Sequence, residues 1–248
     1  MRTSKNVVWS LLVCYLLLEL VFALLPVQAL LETKTLNPIA DSHVRSGDPD
    51  VNWGRRGELL VREPAVVNGE ESLGFLMFDL GQIPSSALLE WAKLSLLTTT
   101  EEVVHSVLVS VYYCSNNDWT EDGLTFNNKP AFSETRLDTV NVTAMQTRYE
   151  WNVTDTVKST LQSANTRLSL VLKADTPGGV FFYSRQNPFN PAYYPELVVQ
   201  YDAPPQTGIY IPKELIIIIV GGAAAIVLTL VYTLRKDRKQ PTPLPSPS

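Results

Sequence analysis

The sequence predicts an all-β fold, a two-sheet jelly-roll sandwich with one short helix, placed between an N-terminal signal helix and a C-terminal transmembrane helix. Residues 40–202 hold seven short runs rich in β-branched and aromatic residues, which polar, glycine or proline stretches separate. Strands and long helices do not alternate along this region, which disfavours a parallel sheet. A long apolar run lies near each end of the chain. We therefore expect one strand-rich domain flanked by membrane-targeting segments.

Residues 1–29 predict a secretory signal peptide. Arg2 and Lys5 precede the apolar run of residues 7–25, and the segment ending at Ala29 suits cleavage. Glu19 interrupts the run at a cost of a few kcal/mol, so an uncleaved signal anchor stays open as an alternative. We expect residues 30–39 to form a linker.

The expected strands of the domain at residues 40–202 are short. Residues 93–96 and 107–111 alternate between apolar and mixed side chains, as expected of a half-buried antiparallel sheet. The seven runs are residues 59–61, 73–80, 92–98, 107–113, 168–172, 180–183 and 197–201.

One segment has a helical period instead. Val153, Val157 and Leu161 recur every four residues, so we expect a short helix over residues 152–161. Asn152 and Thr154 are the candidate N-cap residues.

Residues 215–234 predict a transmembrane helix, which follows a linker at residues 203–214. The segment has 20 residues without a charge, enough to cross about 30 Å of hydrocarbon. Four basic residues follow within residues 235–239, which places the proline-rich tail of residues 235–248 in the cytoplasm as a disordered segment. The expected product is a single-pass protein of the cell membrane with its N-terminal domain outside.

Small residues in the membrane segment leave the oligomeric state open. Gly221 and Ala225 would let two such helices approach closely in a homodimer, although small residues are also simply tolerated there.

The charge and cysteine content of the chain bear on its partners and on disulfide bonding. Residues 30–234 carry 14 basic and 23 acidic side chains, which argues against nucleic acid or an anionic lipid surface as a partner. Cys114 is the only cysteine in the expected exterior, so that region has no internal disulfide. Asn141 and Asn152 head the two glycosylation sequons.

The sequence gives an enzyme little support. Its two histidines, His43 and His105, lie 62 residues apart. No Ser–His–Asp motif, metal-binding histidine pair or glycine-rich phosphate loop is visible in the sequence. We therefore predict a protein without catalytic residues.

An ordered set of short motifs runs through the expected domain. It comprises residues 40–47 (ADSHVRSG), 52–54 (NWG), 75–80 (FLMFDL), 119–121 (WTE), 125–130 (TFNNKP), 182–185 (FYSR) and 195–201 (PELVVQY). With these motifs the chain resembles the DNRLRE-type domains, which form carbohydrate-binding module family 96. The resemblance implies an extracellular β-sandwich that binds polysaccharide, with residues 41–46 as the first strand. It also places Trp119 and Trp151 at packing positions.

Two residues depart from the family motif. Phe126 stands where a tryptophan is usual, which keeps an aromatic side chain at that position. Gln186 stands where a glutamate is usual, which puts in doubt any ion pair or cation contact of that carboxylate.

The candidate carbohydrate-binding residues are Trp53, Arg55, Arg56, Tyr193 and Tyr194. Indole and phenol rings stack on sugar rings, and guanidinium groups bind uronate carboxylates with two hydrogen bonds. The alternative is that Trp53 packs over the edge of the sandwich while both arginines are solvated.

Oxygen-rich side chains near residue 50 also suggest a Ca²⁺ site. Asp41, Asp48, Asp50 and Asn52 would supply oxygen ligands, although no EF-hand pattern is present. The alternative makes Asp41 a buried carboxylate paired with an arginine such as Arg185, and the other three residues turn formers.

Two hypotheses of function follow. The favoured one is a membrane-anchored, non-catalytic module that binds polysaccharide of the cell envelope or its surroundings. The alternative is a structural or adhesion protein of the cell surface that engages other proteins without sugar affinity.

Overall fold

The structure, a computed structural model, describes residues 30–64, 69–101, 106–163 and 165–203, together with Tyr15 and Tyr232. The chain divides into two compact units, Met1–Pro205 and Gln206–Ser248. Apart from Tyr15 and Tyr232, the expected signal and transmembrane segments lie outside the described residues. Within the described ranges, no helix has the length and apolar character needed to cross a bilayer.

Over the described part of residues 30–203, the first unit is built from antiparallel strands and one short helix. The elements are β1 (Leu30–Leu36), β2 (Ala40–Arg45), β3 (Glu58–Arg62), β4 (Ser72–Asp79), β5 (Leu88–Leu97), β6 (Val107–Cys114), β7 (Arg136–Val142), β8 (Arg148–Asn152), α1 (Thr154–Gln162), β9 (Arg167–Ala174), β10 (Gly179–Tyr183) and β11 (Glu196–Ala203), with a 3-10 turn at Pro191–Tyr193. The prediction of a strand-rich domain with one short helix is confirmed.

The strands form two sheets. The four-stranded sheet has the order β1-β11-β5-β8. The seven-stranded sheet has the order β10-β3-β4-β9-β6-β7, and β2 pairs with β4 outside this path. An isolated bridge between Thr98 and Phe182 joins the end of β5 to β10.

The main core lies between the sheets and includes Trp151, which is fully buried. The Trp151 indole N–H donates to the Val109 carbonyl oxygen at 2.7 Å, and its ring meets Phe182 edge-on with 5.8 Å between centroids. A buried indole whose N–H has an acceptor avoids an unpaired donor. The packing role expected of Trp151 is therefore confirmed.

A second cluster covers the other face of the seven-stranded sheet. The segment between β6 and β7 places Leu124, Trp119 and Phe126 over Phe75 and its neighbours. The Trp119 ring meets Phe75 edge-on at 6.0 Å, and its indole N–H donates to the Ser169 hydroxyl at 3.0 Å. Trp119 is thus a packing residue, and Phe126 keeps the aromatic contact expected at its position.

Three strands were absent from the sequence prediction. Residues 30–36 form β1 and pair with β11, so the linker expected at residues 30–39 is wrong over that stretch. β7 and β8 are also strands. Polar and charged residues interrupt the apolar pattern of these strands, which each contribute only one fully buried core side chain, Leu36, Val142 or Trp151.

The predicted helix is confirmed but its cap is not. Val153 is the N-cap and forms no side-chain capping hydrogen bond. The Asn152 side-chain oxygen accepts the backbone N–H of Thr154 at 3.0 Å, a turn contact formed just before the helix.

Candidate functional site

A groove of about 290 Å³ lies where β2 and β3 separate. β2 pairs with β4 over six residues, whereas β3 meets β4 only through Arg62 and Ser72. The groove is lined by His43, Arg45, Trp53, Arg56, Glu58, Leu60, Arg62 and Phe181. It therefore collects side chains from β2, β3, β10 and the loop between β2 and β3.

Trp53 is held from several sides. Its ring stacks on His43 with 5.4 Å between centroids and an angle of 22° between planes. The guanidinium carbons of Arg45 and Arg56 lie 5.0 and 5.1 Å from the ring centroid, within the range of cation–π attraction. Because protein groups already contact the ring, little of its faces is left for stacking on a sugar.

The groove contains buried nitrogen atoms without hydrogen-bond partners. Within the described residues five buried side-chain atoms lack a partner, and three of them belong to His43 (Nδ1), Arg45 (Nε) and Trp53 (Nε1). His43 is only 3% exposed. Buried polar atoms are nearly always paired in folded proteins, so such a concentration indicates a place where a ligand or water completes the pairing.

Basic side chains outnumber acidic ones in the lining of the groove, although Glu70 and Asp48 just outside it pair with two of the three arginines. Arg45, Arg56 and Arg62 line it, against the single carboxylate of Glu58. One carboxylate oxygen of Glu70 forms ion pairs with the guanidinium groups of Arg45, at 3.1 Å, and Arg62, at 3.5 Å. Arg56 is exposed and forms no ion pair with the residues that the structure describes.

His43 adds no charge to the groove at neutral pH. Burial, reinforced by the neighbouring charges of Arg45, Arg56 and Arg62, lowers the pKa of His43 to about 4. The imidazole is therefore neutral above about pH 5.

Glu121 fixes the loop that carries Trp53. Its carboxylate accepts hydrogen bonds from the Arg185 guanidinium at 3.0 and 3.2 Å and from the Asp41 backbone N–H at 3.0 Å. Its carbonyl oxygen accepts the Asn52 side-chain amide at 2.7 Å. A Cβ at Gly54 would overlap the same carbonyl, so glycine is needed there for the loop to approach.

The departure from the family motif at Gln186 fits this arrangement. The Gln186 amide donates to the Glu121 carboxylate at 2.8 Å. A glutamate at this position would set two carboxylates side by side, so glutamine replaces a repulsion with a hydrogen bond. The ion pair with Arg185 is formed by Glu121.

Asp41 is buried, as one of the two interpretations expected. Its side-chain oxygen accepts the Arg185 backbone N–H at 2.7 Å, while its other oxygen has no partner among the described residues. The predicted ion pair between Asp41 and the Arg185 guanidinium is wrong, because that guanidinium forms its ion pair with Glu121. Burial raises the pKa of Asp41 to about 7.

The structure does not bring the four predicted calcium ligands together. A carboxylate oxygen of Asp48 lies 3.4 Å from a guanidinium nitrogen of Arg45. A carboxylate oxygen of Asp50 accepts a hydrogen bond from the Asn127 side-chain amide at 2.7 Å. Asn52 donates to two backbone carbonyl oxygens. No group of three or more histidine, cysteine, aspartate or glutamate side chains suited to a metal occurs in the described ranges. The residues present do not fit the Ca²⁺ site.

Only two of the five predicted sugar contacts line the groove, Trp53 and Arg56. Arg55 points elsewhere and pairs with Asp122 at 3.0 Å, with side chains 83% and 64% exposed. Tyr193 stacks on Tyr183 with 4.8 Å between centroids. Tyr194 is half-buried, and its backbone N–H donates to the Pro191 carbonyl oxygen.

Sequence reasoning missed His43, Arg45 and Arg62 as groove residues. His43 and Arg45 lie two positions apart on β2, and Glu58 and Arg62 lie four positions apart on β3. Polar residues at an even spacing on a strand share one face, and this pattern was the available signal.

The two sequon asparagines, Asn141 and Asn152, have exposed side chains. The Thr154 hydroxyl donates to the Asn152 side-chain oxygen at 2.7 Å. Glycosylation at either position stays a prediction.

A wider hollow of about 500 Å³ is lined by Ser115, Asn116, Asn117, Asp118, Asn165 and Arg167. It has no aromatic lining residue and none of the unpartnered buried atoms found in the described residues. The smaller groove is therefore the stronger candidate for a binding site.

The sequence profile of carbohydrate-binding module family 96 matches residues 32–201, from within β1 to within β11. The chain belongs to carbohydrate-binding module family 96. No curated protein matches it. Because the matched region includes most of β1, the family 96 domain begins before residue 40.

Asp41→Asn tests the buried carboxylate. A carboxyl whose pKa is about 7 in the folded state, against an ordinary 3.8, stabilises the fold below pH 3.8 and loses that contribution as pH rises through 7. The variant should therefore gain stability relative to the wild type between pH 4 and 7, by up to about 4 kcal/mol. Urea unfolding at several pH values measures the difference.

The lowered pKa of His43 makes the free energy of unfolding fall as pH drops below 6.5. Because the wild type and the variant both contain His43, this effect largely cancels when the two proteins are compared. Asp118→Asn, at an exposed carboxylate, is the matched control. A difference between Asp41→Asn and the wild type that stays constant over pH 4–7 would contradict the assignment.

Proposed function

We propose that this family 96 protein is a non-catalytic module that binds an acidic polysaccharide of the cell envelope or its surroundings through the groove around Trp53. The main support is the set of unpartnered buried nitrogen atoms at His43, Arg45 and Trp53. The Nε atoms of Arg45 and Trp53 carry hydrogen, so both atoms require an acceptor. Carboxylate or sulfate oxygens of an acidic sugar are acceptors and carry the charge that three arginines favour.

Trp53 has a different role in this proposal from simple stacking. His43 and two arginines contact its ring, so the ligand meets its buried indole N–H, once a side chain beside that nitrogen moves aside. Phe181 and Leu60 supply apolar surface on the wall formed by β3 and β10. Arg56, exposed at the rim, provides a guanidinium fork for a second oxygen.

The groove favours binding over glycoside cleavage. Glycosidases commonly use two carboxyl groups on opposite sides of the scissile bond. Glu58 is the only carboxylate among the lining residues of the groove. His43, with a pKa of about 4, is a weak base at neutral pH.

Trp53→Phe tests the role of the indole N–H. The variant keeps an aromatic ring but loses the donor, so we expect binding to acidic polysaccharide to weaken about tenfold, the equivalent of about 1.4 kcal/mol. Arg56→Ala should weaken binding similarly. Electrophoresis in gels that contain polygalacturonate, alginate or a neutral glucan measures retardation.

Trp91→Phe is the matched control, since Trp91 lies on the four-stranded sheet and its indole N–H donates to Gln200 at 2.8 Å. Equal retardation of Trp53→Phe and the wild type would contradict the proposed site. Unchanged mobility of the wild type in every gel would favour the alternative of an adhesion protein without sugar affinity.

We further propose that the module is displayed on the cell surface by residues 215–234. The support is the uncharged 20-residue segment followed by four basic residues. Full-length protein should stay with membranes after alkaline carbonate extraction, and a chain ending at residue 210 should appear in the medium. Extraction of the full-length protein by carbonate would contradict this anchoring.

A further inference from the structure

The groove continues across the strand pair β3–β10 toward a pair of stacked tyrosines. Phe181 lies opposite Leu60, and Tyr183 lies opposite Glu58, in the register of the two strands. Val180 and Phe182 face the core, so Phe181 and Tyr183 share the other face. Directly opposite residues on one face have Cβ atoms about 5 Å apart. Tyr183 therefore borders the groove beside Glu58.

The tyrosine pair is held in place by the loop after β10. Tyr193 stacks on Tyr183 with 4.8 Å between centroids and 26° between planes. The 3-10 turn that carries Tyr193 is capped by Asn190 and bonded through the Ala192 carbonyl oxygen to Arg148 at 2.6 Å. Both rings are half-buried, and their hydroxyl groups have no hydrogen-bond partner among the described residues. The pair is a pre-formed aromatic surface with free polar groups.

Glu58 gives this end of the groove a different charge from the rest. Its carboxylate forms no ion pair with the residues that the structure describes. An ionised carboxylate only accepts hydrogen bonds, so it suits the hydroxyl or amide groups of an uncharged sugar. A second acidic sugar at this place would meet like charge.

We propose that Glu58, Tyr183 and Tyr193 form a second subsite that receives an uncharged sugar next to the acidic sugar held by Arg45 and Arg56. The preferred ligand is then a linear glycan in which acidic and uncharged residues alternate. This inference rests on the proposed function of the groove. Tyr183 lies two residues beyond Phe181 on β10, a distance of about 6.7 Å along a strand. In this proposal the tyrosine pair therefore contacts the sugar unit next to the one in the groove.

Glu58→Gln tests the subsite because it removes the charge and keeps the shape. The probes are a hyaluronan hexasaccharide, in which glucuronate and N-acetylglucosamine alternate, and a hexagalacturonate, in which every unit is acidic. Isothermal titration should show tighter binding of the wild type to the alternating probe. Glu58→Gln should bind hexagalacturonate about fivefold more tightly, the equivalent of about 1 kcal/mol, and the alternating probe about as before.

Glu90→Gln, an exposed charge removal on β5, is the matched control and should change neither affinity. Tyr193→Ala should weaken binding of the alternating probe. If Trp53→Phe weakens binding but Glu58→Gln leaves the ratio of the two affinities unchanged, the second subsite is wrong while the groove stands. If the wild type binds neither probe, the proposed function and this inference both fail.

Discussion

The Glu121 carboxylate is the contact on which the geometry of the site depends. It joins the first residues of β2 to the loop after β10, through the Asp41 backbone N–H and the side chains of Arg185 and Gln186. Its own backbone carbonyl holds Asn52, next to Trp53. Hydrogen bonds to an ionised partner are stronger than neutral ones, so a single residue fixes three segments that are distant in sequence.

Arginines from two strands line the groove although the chain as a whole is acidic. The arginines of β2 and β3 meet because both strands contact β4 at Ser72, and Glu70 bonds the Arg45 and Arg62 guanidinium groups there. At physiological ionic strength, exposed charges more than about 8 Å apart are largely screened. Local charge, rather than the net charge of the chain, therefore bears on the proposed binding of an acidic sugar.

The apolar strands could be predicted from the sequence because their pattern is set by burial. β4, β6 and β9 are almost wholly buried, and each was expected within a few residues of its bounds. β1, β7 and β8 contain mostly polar or half-buried residues, and they pair at positions that depend on strands far along the chain. Local sequence carries little information about such pairing.

The candidate site could be predicted only in part, for a similar reason. Trp53 and Arg56 are close in sequence and were expected together, whereas Arg62 joins them through sheet topology. Asp48 and Asp50 follow Asp41 closely, yet each finds its own protein partner because β2 ends at Arg45 and the chain turns away. Proximity along the chain thus suggested a shared site that the fold does not form.

Nuclear magnetic resonance can show whether the Trp53 indole N–H donates to an oxygen of an acidic sugar, as proposed. In a ¹H–¹⁵N spectrum the Trp53 indole signal, assigned by its loss in Trp53→Phe, should shift in a saturable way as hyaluronan hexasaccharide is added. The Trp151 signal should not move, because its N–H already bonds the Val109 carbonyl oxygen. A Trp53 signal that stays in place while another signal shifts at saturation would show that the sugar binds without this indole N–H.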